Sequence, residues 1–322
     1  MLKSLYKYAS PHPQIFDNLL IRASQRYSLN DPFELRPSSE NVLESLSNVE
    51  VNIGNGYKPS YDDYGIISFT ETYNNLLMWA HYANEHKGIV IEFDHSKLNF
   101  SRYQSYPIFD NNEDDEMFAS ENPIIKELNE GVVQRILYNH NRPNERKYEN
   151  ILEHFLVKSD EWMYEKEHRV IVPLITAECI IIRKAYLEVI DSVLELDYNY
   201  VTHDFGNGMV MVSFDDALRT EAAKYYYASD CLVSDEEFFQ SFKLAFLGEI
   251  LSTLSKDPSS IFLYKLPSDS IKRVFFGCRM SEIDKKVIMR NIERNESLWE
   301  VSFTDVTTSP SRFELNFSQK NG

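Results

Sequence analysis

An α+β fold is predicted by three features of the 322-residue sequence. Strand-like apolar runs lie near both ends, helical periodicity dominates the stretch between Arg183 and Asp257, and strands and helices lack the regular alternation of a doubly wound sheet. With 43% hydrophobic residues, 20 Tyr and 20 Phe against 10 Gly, the chain can bury a sizeable core, which excludes disordered and collagen-like classes.

Leu2 to Tyr8, aromatic-rich and stopped by Pro11 and Pro13, reads as an opening strand. A short helix is expected next, ending near Arg22. Asn30-Asp31-Pro32-Phe33-Glu34 has the form of a helix start, with Asp as N-cap, Pro at the first helical position and Glu at the third. Gly54, Gly56 and Pro59 mark Ser47 to Tyr64 as a loop ahead of an apolar strand from Gly65 to Thr70. Asn74 is expected to cap a helix over Leu76 to Lys87. Gly88 then ends it as a left-handed residue before the strand Ile89 to Asp94.

Pro107 to Glu130 is a run of acids relieved only by Lys126, an expected exposed insertion. A helical tract near Glu145 to Lys158 precedes the apolar β-type run that closes EWMYEKEHRVIVP. Between Arg183 and Asp257, Phe238, Phe242, Phe246 and Ile250 recur at helical spacing and form one stripe. Strand signals return at IFLYKL and IKRVFFG, followed by a basic helix near Ser281 to Arg294 and the strands LWEVSFTDV and RFELNF. The division implied is a core over residues 1–182 and 258–322, with an inserted helical subdomain over 183–257 whose ends approach each other on one rim. Excising that block is expected to leave a folded core.

The net charge of −17 disfavours generic binding to nucleic acid. Ile271 to Arg294 reverses that sign locally, and Lys286 and Arg290 share a helical face there, so this segment could attract a phosphate-bearing cofactor or an acidic partner. The apolar runs are too short for a membrane span, and the start does not read as a secretory signal, so the mature chain is expected to begin here. Cys179, Cys231 and Cys278 are odd in number and widely spaced, which argues against a disulfide framework or a CxxC zinc site and favours the cytoplasm.

No P-loop, GxGxxG, GxSxG or HExxH motif is present, and His81 and His86 are wrongly spaced to share a metal, so none is expected. The most charged segment beside an apolar strand is WMYEKEHR. In an extended chain Glu165, Glu167 and Arg169 point to one face, where two carboxylates can divide roles. The plainer reading is a structural ion network centred on Arg169. Ser68 and Thr70 likewise share a strand face, with edge or capping hydroxyls as the plainer meaning. Met78, Trp79, Tyr82 and Ala83 read as core, His81 as a satisfied, partly buried histidine, and Lys7 as a lone exposed cation.

LYKY near the start, NDPFE, SFTETYNNLLMWAHYANEHKGIVIEFD, KSDEWMYEKEHRV and SIKRVFFGCRMS, in this order, resemble the bacterial family called domain of unknown function 2971. More distantly the chain resembles ADP-ribosyltransferases of the DNA-targeting toxin type. That resemblance implies a split β-sheet core around an NAD cleft, with Lys7 on the first strand where the pattern has His or Arg, Ser68 and Thr70 on a central strand, and Glu165 or Glu167 on a later one. Tyr8, Trp79 and His81 complete the NAD-binding set expected on this basis. Lys7 departs from the pattern because an ammonium lacks the bidentate fork of Arg.

The resemblance implies an effector acting on NAD, as transferase or glycohydrolase, in bacterial defence against phage. The alternative is a sensor or binding module that contacts a protein through the acidic insertion or the helical block. Nucleic acid remains an acceptor candidate, and a nuclease lacks a two-metal acid cluster. Of the two acids, one is expected on Arg169 and the other in the cleft. Glu167 is assigned to the cleft, so that Glu167→Gln should abolish activity with the melting temperature nearly unchanged.

Overall fold

The computed structural model of the chain describes residues 2–11, 14–36, 60–103, 131–143, 154–194, 200–227 and 246–319. In chain order the elements are β1 (Ser4–Ala9), α1 (Gln14–Asn18), β2 (Leu20–Gln25), β3 (Tyr64–Thr70), α2 (Leu76–Tyr82), β4 (Ile89–Asp94), β5 (Gln134–Arg135), β6 (Leu137–Asn139) and β7 (Val157–Ser159). There follow β8 (Glu167–Pro173), β9 (Cys179–Arg183), α3 (Leu187–Leu194), β10 (Tyr200–Gly206), β11 (Met209–Phe214), α4 (Asp216–Tyr227) and a helix over residues 246–254 (α5). The chain ends in β12 (Ile261–Lys265), β13 (Ile271–Phe276), α6 (Glu282–Arg294), β14 (Ser302–Thr308) and β15 (Leu315–Gln319).

The fold is mixed α+β, built on one large open sheet of 13 strands. Its order is β10-β11-β9-β12-β2-β3-β1-β4-β13-β14-β15, and β8 and β5 branch from β3. The pairs are antiparallel except β13–β14. β3 is the branch point. Its start pairs with β2 through Gln25 and Gly65, its end with β1 through Tyr6 and Thr70, and its whole length with β8. β1 and β2 therefore separate along β3, and an opening forms beside Ser68.

One hydrophobic cluster joins β2, β3, β4, β8 and β9 to buried residues of α4 and α5, including Leu218, Ala222, Leu247 and Leu251. At roughly 25 cal/mol per Å² of apolar surface removed from water, such burial is the main favourable contribution to folding.

Several local expectations change. The helix expected to end near Arg22 stops at Asn18, because Ile21, Ala23 and Gln25 bury alternate positions with the period of a strand. NDPFE forms turns rather than a helix; the Asp31 carboxylate accepts from the Phe33 amide at 2.9 Å, and Glu34 is drawn into an ion pair with Arg169. Asn75, not Asn74, caps α2, accepting from the Leu77 and Met78 amides. α2 stops at Tyr82, and Asn84, Glu85 and His86 all take positive φ before Gly88. Gly88 itself is required for close approach, since a Cβ there would lie 2.2 Å from the Ala9 carbonyl oxygen.

The described part of 183–257 holds a β-hairpin as well as helices. Asn207 and Gly208 both have positive φ, the geometry of a two-residue hairpin turn, and β11 buries alternate residues against β9. The ends of the block do meet, through an Arg183–Asp257 ion pair at 2.9 Å. Phe238 and Phe242 lie outside the described residues; of the expected stripe, Ile250 is buried and Phe246 is 47% exposed. The acidic insertion at 107–130 also lies outside them, as do most of the loop at 47–64 and of the tract at 145–158, whose last residues enter β7 rather than a helix. In α6, Lys285 is engaged by Glu282 at 2.7 Å and Asp305 at 2.8 Å, which reduces the local positive excess.

Candidate functional site

The opening beside β3 is a cavity of about 250 Å³. β1 contributes Lys7 and Tyr8, β3 contributes Ser68 and Thr70, and β8 contributes Glu167 and Arg169. β8 is buried along its whole length because it is paired with β3 on one side and β5 on the other, so its charged residues must find partners inside the protein. Glu165 ends a short 3₁₀ turn, Asp160–Glu165, whose start is capped by the Ser159 hydroxyl. Lys166 is left-handed, with φ of 47°, and this reversal brings Glu165 to the cavity that Glu167 also lines. Thr70 fixes the same corner by donating its hydroxyl to the Glu165 carbonyl at 2.5 Å.

The carboxylates and cations interlock. Arg169 donates Nε to Glu167 Oε1 at 2.8 Å and Nη2 to Glu167 Oε2 at 2.9 Å, while Nη1 reaches the Phe155 carbonyl at 2.7 Å. It also pairs with Glu34. Lys158, from β7, donates to Glu165 Oε2 at 2.6 Å and Glu167 Oε2 at 3.1 Å. Glu165 Oε1 accepts from the Tyr82 hydroxyl. All five charged side chains are at most 6% exposed, so each depends on the others for its charge.

Burial raises the pKa of Glu167, with Lys158 opposing and Glu165 adding to the rise. Burial alone would lower that of Lys158, but Glu167 and Glu165 outweigh it and hold this amine firmly protonated. Burial likewise raises the Tyr82 phenol, helped by its bond to Glu165, so Tyr82 stays a donor. Lys7 differs. Its Nζ donates to the Ser68 carbonyl oxygen at 2.9 Å and forms no ion pair among the described residues. Burial lowers its pKa to about 8, Glu167 partly offsetting and Arg22 reinforcing the fall.

Lys7 therefore carries its charge at a cost to the fold. The unfolded chain binds the proton more tightly, so stability is expected to rise with pH between about 8 and 10.5 as the native amine becomes neutral first. Lys7→Met is expected to stabilise the protein at neutral pH, with a gain that shrinks over that window. Urea unfolding of both proteins at several pH values measures this; a loss of stability at neutral pH would show that the Lys7 bond to Ser68 outweighs desolvation.

Of the sequence-derived site residues, Lys7, Tyr8, Ser68, Thr70, Glu165 and Glu167 line this one cavity. Trp79 and His81 do not. Trp79 is fully buried on the Tyr8 ring, its indole N–H bonded to the Tyr73 carbonyl at 2.8 Å, and His81 is exposed on the outer side of α2. The two acids are unequal, but in the opposite sense to that expected: Glu167 holds Arg169 with both oxygens, and Glu165 is the one without it. Glu167→Gln is therefore expected to lower stability. Lys158, Tyr82 and Glu34 were not singled out by sequence as members of the site. Tyr82 lies one helical turn after Met78, which also lines the cavity, but no local pattern points to Lys158 or Glu34.

Among the described residues no group of three or more His, Cys, Asp or Glu is arranged to hold a metal ion, and no helix is long and apolar enough to cross a membrane. Residues 78–170 match a family model described as a protein of unknown function, DUF2971. That span includes Tyr82, Lys158, Glu165, Glu167 and Arg169, while Lys7, Glu34, Ser68 and Thr70 precede it. No curated protein and no solved structure matches the chain.

Proposed function

We propose that the chain is a cytoplasmic, ADP-ribosyltransferase-like enzyme that cleaves the nicotinamide–ribose bond of NAD, as an effector in bacterial defence against phage. The observation that carries this reading is the convergence of Lys7, Ser68, Thr70, Glu165 and Glu167 on one cavity from separate elements. A volume of about 250 Å³ lies below the range usual for a whole drug-sized ligand, and so suits one end of a dinucleotide with the remainder outside. When the C–N bond breaks, its electron pair leaves with nicotinamide and positive charge develops on the ribose carbon. Glu167, fixed by Arg169 and Lys158, supplies an oriented negative charge for that centre without reorganising. An acceptor, water or a nucleophile on a macromolecule such as nucleic acid, then bonds to the carbon and gives up its proton.

A binding module is the second reading, favoured by the pairing of each carboxylate with a buried cation. The two are separated by incubating the purified protein with NAD labelled in the nicotinamide ring and, separately, in the adenylate, with and without cell extract. The enzyme is expected to release nicotinamide in every mixture or only with extract, the second pattern marking transfer to an acceptor. No release in either, with NAD bound or unbound, overturns the catalytic reading.

A further inference from the structure

We propose that Lys7 is a carbonyl-reactive amine and that its cavity takes a small hydroxylated aldehyde or ketone, held as an imine. This goes beyond cleavage of NAD and does not depend on it. Three cations line the cavity, and two of them are committed: Lys158 lies between Glu165 and Glu167, and Arg169 between Glu167 and Glu34. Lys7 alone of these has no carboxylate partner among the described residues; its Nζ bonds to the Ser68 carbonyl and lies 5.8 Å from the centre of the Phe69 ring. A carbonyl oxygen accepts from an amine as well as from an ammonium, so Lys7 keeps its anchor after losing a proton, with its lone pair then free to attack.

Burial drives that loss, against the net effect of the charged groups around it. Glu167 of β8 faces Lys7 and opposes deprotonation, Arg22 of β2 promotes it, and Glu165, Glu34, Lys158 and Arg169 are mutually compensated. The resulting pKa of about 8 leaves a useful neutral fraction near neutrality. Ser24, Ser28, Asn30 and Tyr82 also line the cavity, so its wall offers hydrogen-bonding groups suited to ligand hydroxyls.

The step balances without an oxidant or reductant. The Lys7 nitrogen bonds to the carbonyl carbon as the π pair moves to oxygen, which takes a proton from solvent, and nitrogen gives one up to solvent, leaving a carbinolamine. The C–O bond then breaks with transfer of a proton from solvent to the departing oxygen, and water leaves as the C=N bond forms. Glu167, paired with Arg169 and Lys158, offsets the positive charge of the protonated imine.

The test uses the intact protein with glyceraldehyde and cyanoborohydride, without NAD, at a series of pH values. Reduced adducts are located by peptide mass spectrometry. Lys7 is expected to react about ten-fold or more faster than the exposed Lys3 and Lys286, because an ordinary lysine amine is far less deprotonated near neutrality. Its rate should level off near a midpoint of about 8. Labelling of Lys7 no faster than of Lys3, or with the midpoint of an ordinary lysine, overturns the proposal. Since NAD is absent, failure of nicotinamide release leaves this outcome unaffected, and the reverse holds too.

Discussion

Arg169→Met is expected to destabilise the protein by about 3–5 kcal/mol near neutral pH, the cost typical of removing one partner from a buried ion pair. Arg169 is 1% exposed and satisfies Glu167, Glu34 and the Phe155 carbonyl together. Methionine fills much of the volume but supplies no donor, leaving Glu34, Glu165 and Glu167 with Lys158 as their remaining buried cation. Glu34 is the most affected, because its second oxygen already has no hydrogen-bond donor and lies 3.9 Å from Lys158. Burial already raises the Glu167 pKa and loss of Arg169 adds to that rise, so the native variant binds more protons than its unfolded chain and the deficit shrinks as pH falls. Urea unfolding near neutrality and at about pH 5 measures both magnitude and sign. Adding Glu34→Gln to Arg169→Met is expected to restore part of the loss. A cost of less than about 1 kcal/mol at neutral pH would show that water reaches the cluster and screens it.

The sequence was most legible where one physical cause dominates. The strands at Tyr64–Thr70 and Ile89–Asp94 are apolar runs bounded by turn residues, and both form almost as expected. The side-chain alternation that places Glu165, Glu167 and Arg169 together was sound for Glu167 and Arg169, which lie in β8. For Glu165 the same neighbourhood arises differently, through a 3₁₀ turn and a left-handed Lys166. Asn207-Gly208 carried a strong hairpin signal, overshadowed by the helical periodicity on its C-terminal side. Lys158 and Glu34 were illegible as site residues for a topological reason. Lys158 lies on a three-residue strand of a separate two-stranded sheet, and Glu34 lies in a turn 135 positions from Arg169. Only the closed fold brings them to β8. Trp79 and His81 were assigned by resemblance, and packing of α2 sends one into the core and the other to solvent.

Glu167→Gln is expected to reduce nicotinamide release about 10²–10³-fold, the loss typical of removing one preorganised electrostatic group from a reaction centre. The amide keeps the shape of the side chain but no longer carries the negative charge that faces the developing cation. The same substitution weakens the cluster, since Arg169 and Lys158 both lose an ionic partner, so turnover must be measured well below the variant's melting temperature and per folded molecule. The division between kcat and KM separates the causes. An interaction formed with developing charge lowers kcat and kcat/KM together, whereas a disordered cavity raises KM through poorer binding. Glu165→Gln serves as the comparison, because Glu165 belongs to the same network without touching Arg169. If Glu167 supplies the charge, its variant loses far more kcat than the Glu165 variant at equal folded fraction. Equal losses in the two variants, scaling with their stability, would identify the pair as a structural ion network and remove Glu167 from the chemistry.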